Sequence, residues 1–200
     1  AQVQFGIAYG HYAGSGSAAS SGDNAATKAV YSQFRNILLT PNDKKFTMAG
    51  NVDADDCYFI TINRSRIREK VDPGNWQLTL SGSSGTENKG GLRTFIDDSG
   101  ATTNPTVNEG GRVFNIVSGS LETGTGVINT AATSQQGGGI GLFYPDLGIA
   151  LFNASQIDSG SVVGINSGYN QDAFADNGGK FFQKISDGQL FQVRREEEIS

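Results

Sequence analysis

Asp72-Pro73-Gly74-Asn75 leads straight into Trp76-Gln77-Leu78-Thr79-Leu80, and these nine residues set how the rest of the chain is read. Proline presets the backbone for a turn, and glycine accepts the positive φ that follows. After the turn, Trp76, Leu78 and Leu80 alternate with Gln77 and Thr79, the period of a half-buried strand. Upstream, Cys57-Tyr58-Phe59-Ile60-Thr61-Ile62-Asn63 has the β-branched and aromatic content of a strand. Further strands are expected at 45–49, 92–96, 112–117, 126–130, 140–144, 147–153 and 189–194. Tyr144-Pro145-Asp146-Leu147, set between two apolar runs, reads as a hairpin turn.

One clear helix precedes these strands. Asp23 is placed to cap it, accepting from the free N–H groups of the first turn. Ala26, Val30, Phe34 and Ile37, with Gln33 and Leu38 beside them, recur at helical spacing. Pro41 pushes Thr40 out of the α region, so the helix is expected at about 24–39 with its apolar stripe on a sheet. A second, short helix is expected within 172–184, with Asp187-Gly188 as its exit. Residues 1–22 run Phe5-Gly6-Ile7-Ala8-Tyr9-Gly10-His11-Tyr12 into a Gly/Ser/Ala stretch. Their composition suggests a flexible N-terminal arm that needs another surface to order it. No repeat of solenoid length is visible. The expectation is a mainly β (α+β) chain of antiparallel sheets, sandwich-like, with the N-terminal helix and one β-rich domain over 23–200.

Two hundred residues, 36% of them hydrophobic, can bury a core without disulfides. Twenty-eight glycines are about twice the usual share and call for many tight turns. A net charge of −5 disfavours nucleic acid as a partner, since such binders carry a basic footprint. No run reaches the length of a membrane-spanning helix. The chain opens at Ala1 and closes on Arg194-Arg195-Glu196-Glu197-Glu198-Ile199-Ser200 without a terminal motif, which suits a processed protein or a portion of a longer polypeptide.

The charge is unevenly spread. Between Arg112 and Lys180 there is no Lys or Arg, and the acids there are Glu122, Asp146, Asp158, Asp172 and Asp176. Residues 113–179 therefore carry a charge of −5 by themselves. Such a span reads either as an interface core, where charge is depleted, or as a merely uncharged β-domain. Against it stand Arg64, Arg66, Arg68 and Lys70, which fall on one face of an extended chain. They read either as an edge strand charged against unwanted pairing or as a strip that docks an acidic neighbour.

Chemical motifs are weak. Gly14-Ser15-Gly16-Ser17 lacks the lysine of a phosphate loop. His11 is the only histidine and Cys57 the only cysteine, too few for a zinc site, and no nucleophile-elbow pattern is present. His11 is expected to pack or hydrogen-bond, and Cys57 to be a buried strand residue. Asp53-Ala54-Asp55-Asp56 lacks the glycine and distant glutamate of a calcium loop. A pair of carboxylates for glycoside cleavage stays open, because nothing selects two of the 20 acids. No cofactor is expected and no catalytic residue is assigned.

Several stretches in order resemble one family. They are Tyr9-Gly10-His11 with its Gly-Ser-Gly-Ser loop, and Thr27-Lys28-Ala29-Val30-Tyr31-Ser32-Gln33-Phe34-Arg35-Asn36-Ile37-Leu38-Leu39. Lys45-Phe46-Thr47 and Phe59-Ile60-Thr61-Ile62-Asn63-Arg64-Ser65-Arg66 follow, then the 72–80 stretch and Gly141-Leu142-Phe143-Tyr144-Pro145-Asp146-Leu147-Gly148. Together they look like virion structural proteins of large T-even-like contractile-tailed phages, the type that infects marine cyanobacteria. The resemblance implies a tail- or baseplate-associated subunit, often one portion of a longer polypeptide. It implies partners among other virion proteins and copies of itself, and no catalytic residues. The residues expected at interfaces are Arg64, Arg66, Arg68, Lys70, Tyr144, Tyr9 and His11. Competing expectations are a receptor- or glycan-binding module stacking sugars on Tyr9, Tyr12, Tyr144, Tyr169 or Trp76, a carboxylate-dependent depolymerase, and a secreted surface-layer or adhesin domain.

Overall fold

The computed structural model describes residues 5–16, 25–63, 70–81, 92–100, 105–122, 125–128, 140–158, 170, 176–188 and 190–193. The strands are β1 (Phe5–His11), β2 (Phe46–Met48), β3 (Val52–Ala54), β4 (Asp56–Ile62), β5 (Trp76–Ser81), β6 (Leu92–Asp97), β7 (Thr106–Asn108), β8 (Gly111–Glu122), β9 (Thr125–Ile128), β10 (Gly141–Tyr144), β11 (Ile149–Asn153) and β12 (Leu190–Val193). The helices are α1 (Ala25–Leu38), α2 (Ala154–Asp158) and α3 (Asn177–Gly188). Strands β1-β4-β11-β10-β8-β6-β5-β12 form one sheet in that order, with β7 and β9 also on β8. Strands β2 and β3 make a separate two-stranded sheet. Every pairing among the described residues is antiparallel.

Period-two alternation divides the main core in two, beside a third, smaller cluster of Ile96, Val117 and Leu121. Tyr58, Ile60 and Ile62 of β4 join Phe143, Ala150, Phe152, Phe95, Trp76, Leu78 and Leu80 in one cluster. Cys57 and Phe59 of the same strand join Leu142, Tyr144, Ile149 and Leu151 in the other. Helix α3 supplies Phe181 and Ile185 to the first cluster, and α1 supplies Tyr31 and Leu38 to the second. Helix α3 touches both β1 and β5, which lie near opposite ends of the strand order, so the sheet must curl around it. The curl also brings non-neighbouring strands face to face. Trp76 of β5 lies 4.8 Å from Phe143 of β10, and Phe95 of β6 lies 5.8 Å from Phe152 of β11, ring centre to ring centre.

The turn at 72–75 forms as its chemistry dictates: Asn75 N–H donates to the Asp72 carbonyl at 3.1 Å, and Gly74 holds a φ of 80°. The 145–148 turn closes the β10–β11 hairpin, and its Pro145 carbonyl accepts from Gly148 and from Val71. The expected helix at 24–39 is α1, while its proposed cap Asp23 lies outside the described residues. The expected helix within 172–184 begins later. Asp176 caps it, its Oδ1 accepting from Gly179 N–H at 3.0 Å, and it continues to Gly188.

Two expectations change. Residues 5–11 are no free arm: all seven pair in register with β4, from Phe5 opposite Ile62 to His11 opposite Asp56. The surface that orders them belongs to their own chain. The small residues read as flexible have a packing reason. Gly6, Ala8 and Gly10 alternate with Ile7 and Tyr9, and a Cβ on Gly10 would stand 2.7 Å from the Tyr31 backbone nitrogen. The missing side chain at Gly10 lets α1 lie directly on the strand.

The lack of Lys and Arg over 113–179 also has an internal cause. All four residues of β10 and all five of β11 are buried, as are Val113, Phe114, Ile116 and Val117 of β8. These are central strands covered on both faces, where charge is excluded for the sake of the core. The buried residues of β8, β10 and β11 carry no charge because they are interior.

Candidate functional site

One corner of the molecule gathers three buried polar side chains, His11, Asp56 and Asn177. There β1 ends at His11, opposite the start of β4 at Asp56, and the N-terminus of α3 comes up beneath them. Asp56 is 1% exposed, and the Tyr9 hydroxyl donates to its Oδ2 at 3.0 Å. Burial, then the charge of Asp56, holds the Tyr9 phenol far above the ordinary tyrosine range; hydrogen bonding with Asn177 opposes them. The phenol is a fixed donor rather than an acid.

Asn177, also 1% exposed, acts as a clamp. Its Nδ2 donates to the Asn170 carbonyl at 2.7 Å and to the Gly16 carbonyl at 3.4 Å. Its Oδ1 accepts from Asn170 N–H at 3.0 Å. Gly16 has a φ of 73°, and a Cβ there would stand 2.6 Å from Asn177 Nδ2 and 2.7 Å from the Tyr9 ring. Only glycine fits this place. One amide therefore ties the start of α3 both to nearby Asn170 and to distant Gly16.

His11 is 8% exposed, and its Nδ1 accepts from Ala13 N–H at 3.0 Å. The imidazole is neutral, with its proton on Nε2. Burial lowers its pKa from the ordinary 6.5; nearby Asp55 pulls the other way, and Lys45 adds to the lowering. Asp55 pairs with Lys45, whose ammonium sits 4.9 Å from the centre of the Tyr12 ring. Asp53 accepts from the Thr47 hydroxyl at 2.8 Å. The three carboxylates of 53–56 thus go separate ways: one to a threonine, one to a lysine and one inward to Tyr9. No group of three His, Cys, Asp or Glu among the described residues is arranged to hold a metal ion.

The residues expected at interfaces are scattered. Tyr144 is fully buried in the cluster under α1, with its hydroxyl accepting from Asn108 Nδ2 at 3.1 Å and its pKa pushed up to about 12, mainly by burial. Tyr9 and His11 are buried in the corner just described. These three hold the chain's own fold together and present no outer face. Lys70 is exposed, while Arg64, Arg66 and Arg68 lie outside the described residues. Trp76 is fully buried too, so of the aromatic residues proposed to stack sugars only Tyr12, at 37%, is exposed among the described residues. Tyr169 lies outside them. Cys57 is buried, and burial raises its thiol pKa well above the ordinary value.

Sequence reasoning missed several polar groups. Asp97, 1% exposed, accepts from Gly74 N–H at 2.8 Å and Ser99 N–H at 3.0 Å, fastening the 72–75 turn to the end of β6. Asp146 in the β10–β11 turn receives both the backbone and the side chain of Arg112, with Nη2 to Oδ1 at 2.8 Å. That hydrogen bonding holds the Asp146 carboxyl below its ordinary pKa. A lone acid after a turn proline gave no local sign of a partner 34 residues away.

Comparison with protein-family models, with curated proteins and with solved structures finds no match.

Proposed function

We propose that this chain is a structural subunit of a phage particle, in its tail or baseplate region. It acts through protein–protein contacts with copies of itself and with other virion proteins, and has no catalytic step. The observation that carries the reading is the edge of the sheet. The strand order ends at β1, and among the described residues β1 pairs with β4 alone. Its seven residues, Phe-Gly-Ile-Ala-Tyr-Gly-His, include no Lys, Arg, Asp, Glu or Pro, and Phe5 to Ala8 are the part that is not buried. Proteins that stay alone guard an edge of this length with charge, proline or a bulge.

The register shows which groups the edge offers. Ile62 N–H donates to Gly148 on the β11 side, so the Phe5–Ile62 pair is not hydrogen-bonded across the strands. By alternation Gly6, Ala8 and Gly10 bond β4, and the Ile7 N–H and C=O point away from it. A strand from a neighbouring subunit would extend the sheet there. The likeness to contractile-tailed phage proteins supplies the setting: a virion assembled in the host cytoplasm.

Mass spectrometry of purified particles tests the reading. The expected result is this chain among the structural proteins, alone or within a longer polypeptide. Its absence from particles, together with a purified chain that stays monomeric, would overturn it.

A further inference from the structure

We propose that His11 is a pH-sensitive latch on the corner where β1, β4 and α3 meet. In the neutral form its Nδ1 accepts from Ala13 N–H and holds the turn after β1. The same turn is closed by Gly14 N–H donating to the His11 carbonyl at 3.1 Å, and two residues on Gly16 meets Tyr9 and Asn177. Protonated Nδ1 carries a hydrogen and cannot accept. The Ala13 N–H then faces another donor in a part-buried site, and that bond is lost. Because Gly16 has no slack against Tyr9 and Asn177, loosening the turn loosens the clamp that joins it to α3.

The groups around the imidazole set the direction. Asp56 of β4 lies opposite it in the register, Asp55 precedes that strand, and Lys45 leads into β2. Tyr9 and Tyr12 flank it on its own segment, and Tyr31 of α1 packs edge-on to Tyr12 at 5.9 Å. Asp55 favours the charged ring, whereas burial and Lys45 disfavour it, and burial is the largest effect. The latch is therefore fully closed above the ordinary pKa of 6.5, where folded and unfolded chains are both neutral. As pH falls below 6.5 the unfolded chain takes up a proton before the folded one does, and stability declines toward the lower folded value.

A single histidine makes the test clean. Nuclear magnetic resonance of the imidazole in the dilute chain should show the Nε2–H tautomer at pH 7.5 and a titration midpoint below 6.5. Amide protection at Ala13 and Gly14, each referenced to an unfolded peptide at the same pH, should fall as His11 titrates. The drop is about tenfold for each unit by which the folded pKa lies below the unfolded one. His11→Asn keeps an acceptor near the Nδ1 position with nothing to titrate, and its protection at Ala13 should not follow this pH dependence. A midpoint at or above 6.5, an Nδ1–H tautomer, or the same pH-dependent loss in His11→Asn would each overturn the latch. All of these are read on the monomer, so they stand or fall apart from the assembly reading.

Discussion

The face covered by α1 and the face covered by α3 are built from the same strands, residue by residue in alternation, yet they are held by different means. On the α1 side the contact is mainly aromatic and apolar. Phe34 stacks on Phe59 with ring centres 4.0 Å apart, and Tyr31 packs edge-on to Phe46 and Phe59. The Tyr31 hydroxyl bridges two strands of the small sheet region, donating to the Ala54 carbonyl at 2.6 Å and accepting from Phe46 N–H at 3.1 Å. On the α3 side an aromatic stack, Phe181 on Tyr58 at 4.2 Å, is joined by the Tyr9–Asp56 bond and the Asn177 clamp. An apolar contact tolerates small slips, whereas hydrogen bonds have narrow distance and angle limits. The α1 face therefore sets how firmly a layer adheres. The α3 corner sets which chain segments meet, and carries the group that responds to pH.

That contrast can be broken by substitution. The largest loss is expected for Phe181→Ala, because Phe181 is fully buried between Tyr58 and Phe152 inside the curl. Denaturant unfolding should show about 3–5 kcal/mol lost. Phe34→Ala on the other face removes a half-buried ring and should cost about 1–3 kcal/mol. Equal losses at the two positions would mean that burial does not set the difference between the two rings. Tyr9→Phe deletes one donor to a buried carboxylate and should cost about 1–3 kcal/mol. It should cost more than Tyr31→Phe, whose partners are neutral backbone groups.

The smallest effect is expected for Asp146→Asn, about 0.2–1 kcal/mol, since the pair with Arg112 is about a third exposed. Its pH dependence follows from the lowered Asp146 pKa. The contribution is present above the ordinary 3.8 and is lost as pH falls through the lower folded value. Wild type and Asp146→Asn should therefore differ at pH 7 and converge in strong acid. A difference that persists at low pH would mean the carboxylate acts through something other than its charge.

The parts legible in the sequence are those whose signal is local. Strand β5 follows a turn made by Pro73 and Gly74, β10 and β11 flank Pro145, and α1 repeats its apolar residues at helical spacing. What was not legible depends on distant residues. Strand β1 read as an arm because its small residues suggest flexibility, and the close approach of α1 that requires glycine at Gly10 leaves no local sign. The start of α3 is set by Asp176 and by an Asn177 amide whose partners at Gly16 and Asn170 no local pattern reveals. The Lys- and Arg-free span looked like a surface because a central strand and an interface core exclude charge for the same desolvation reason. Only the strand order separates them. Tyr144 and Trp76 looked available for the same cause: an aromatic residue beside a turn can face either way until the sheet curls.

The central claim is that the uncharged β1 edge joins this chain to its neighbours. The most direct test is the molar mass of the purified chain in solution, compared with Ile7→Pro. Proline at position 7 removes an N–H that points away from β4, and so spares the internal ladder while blocking an added strand. The account predicts that the unsubstituted chain associates as its concentration rises and that Ile7→Pro remains folded and monomeric. A chain that stays monomeric at the highest concentration reached, or an Ile7→Pro variant that associates equally well, would contradict it.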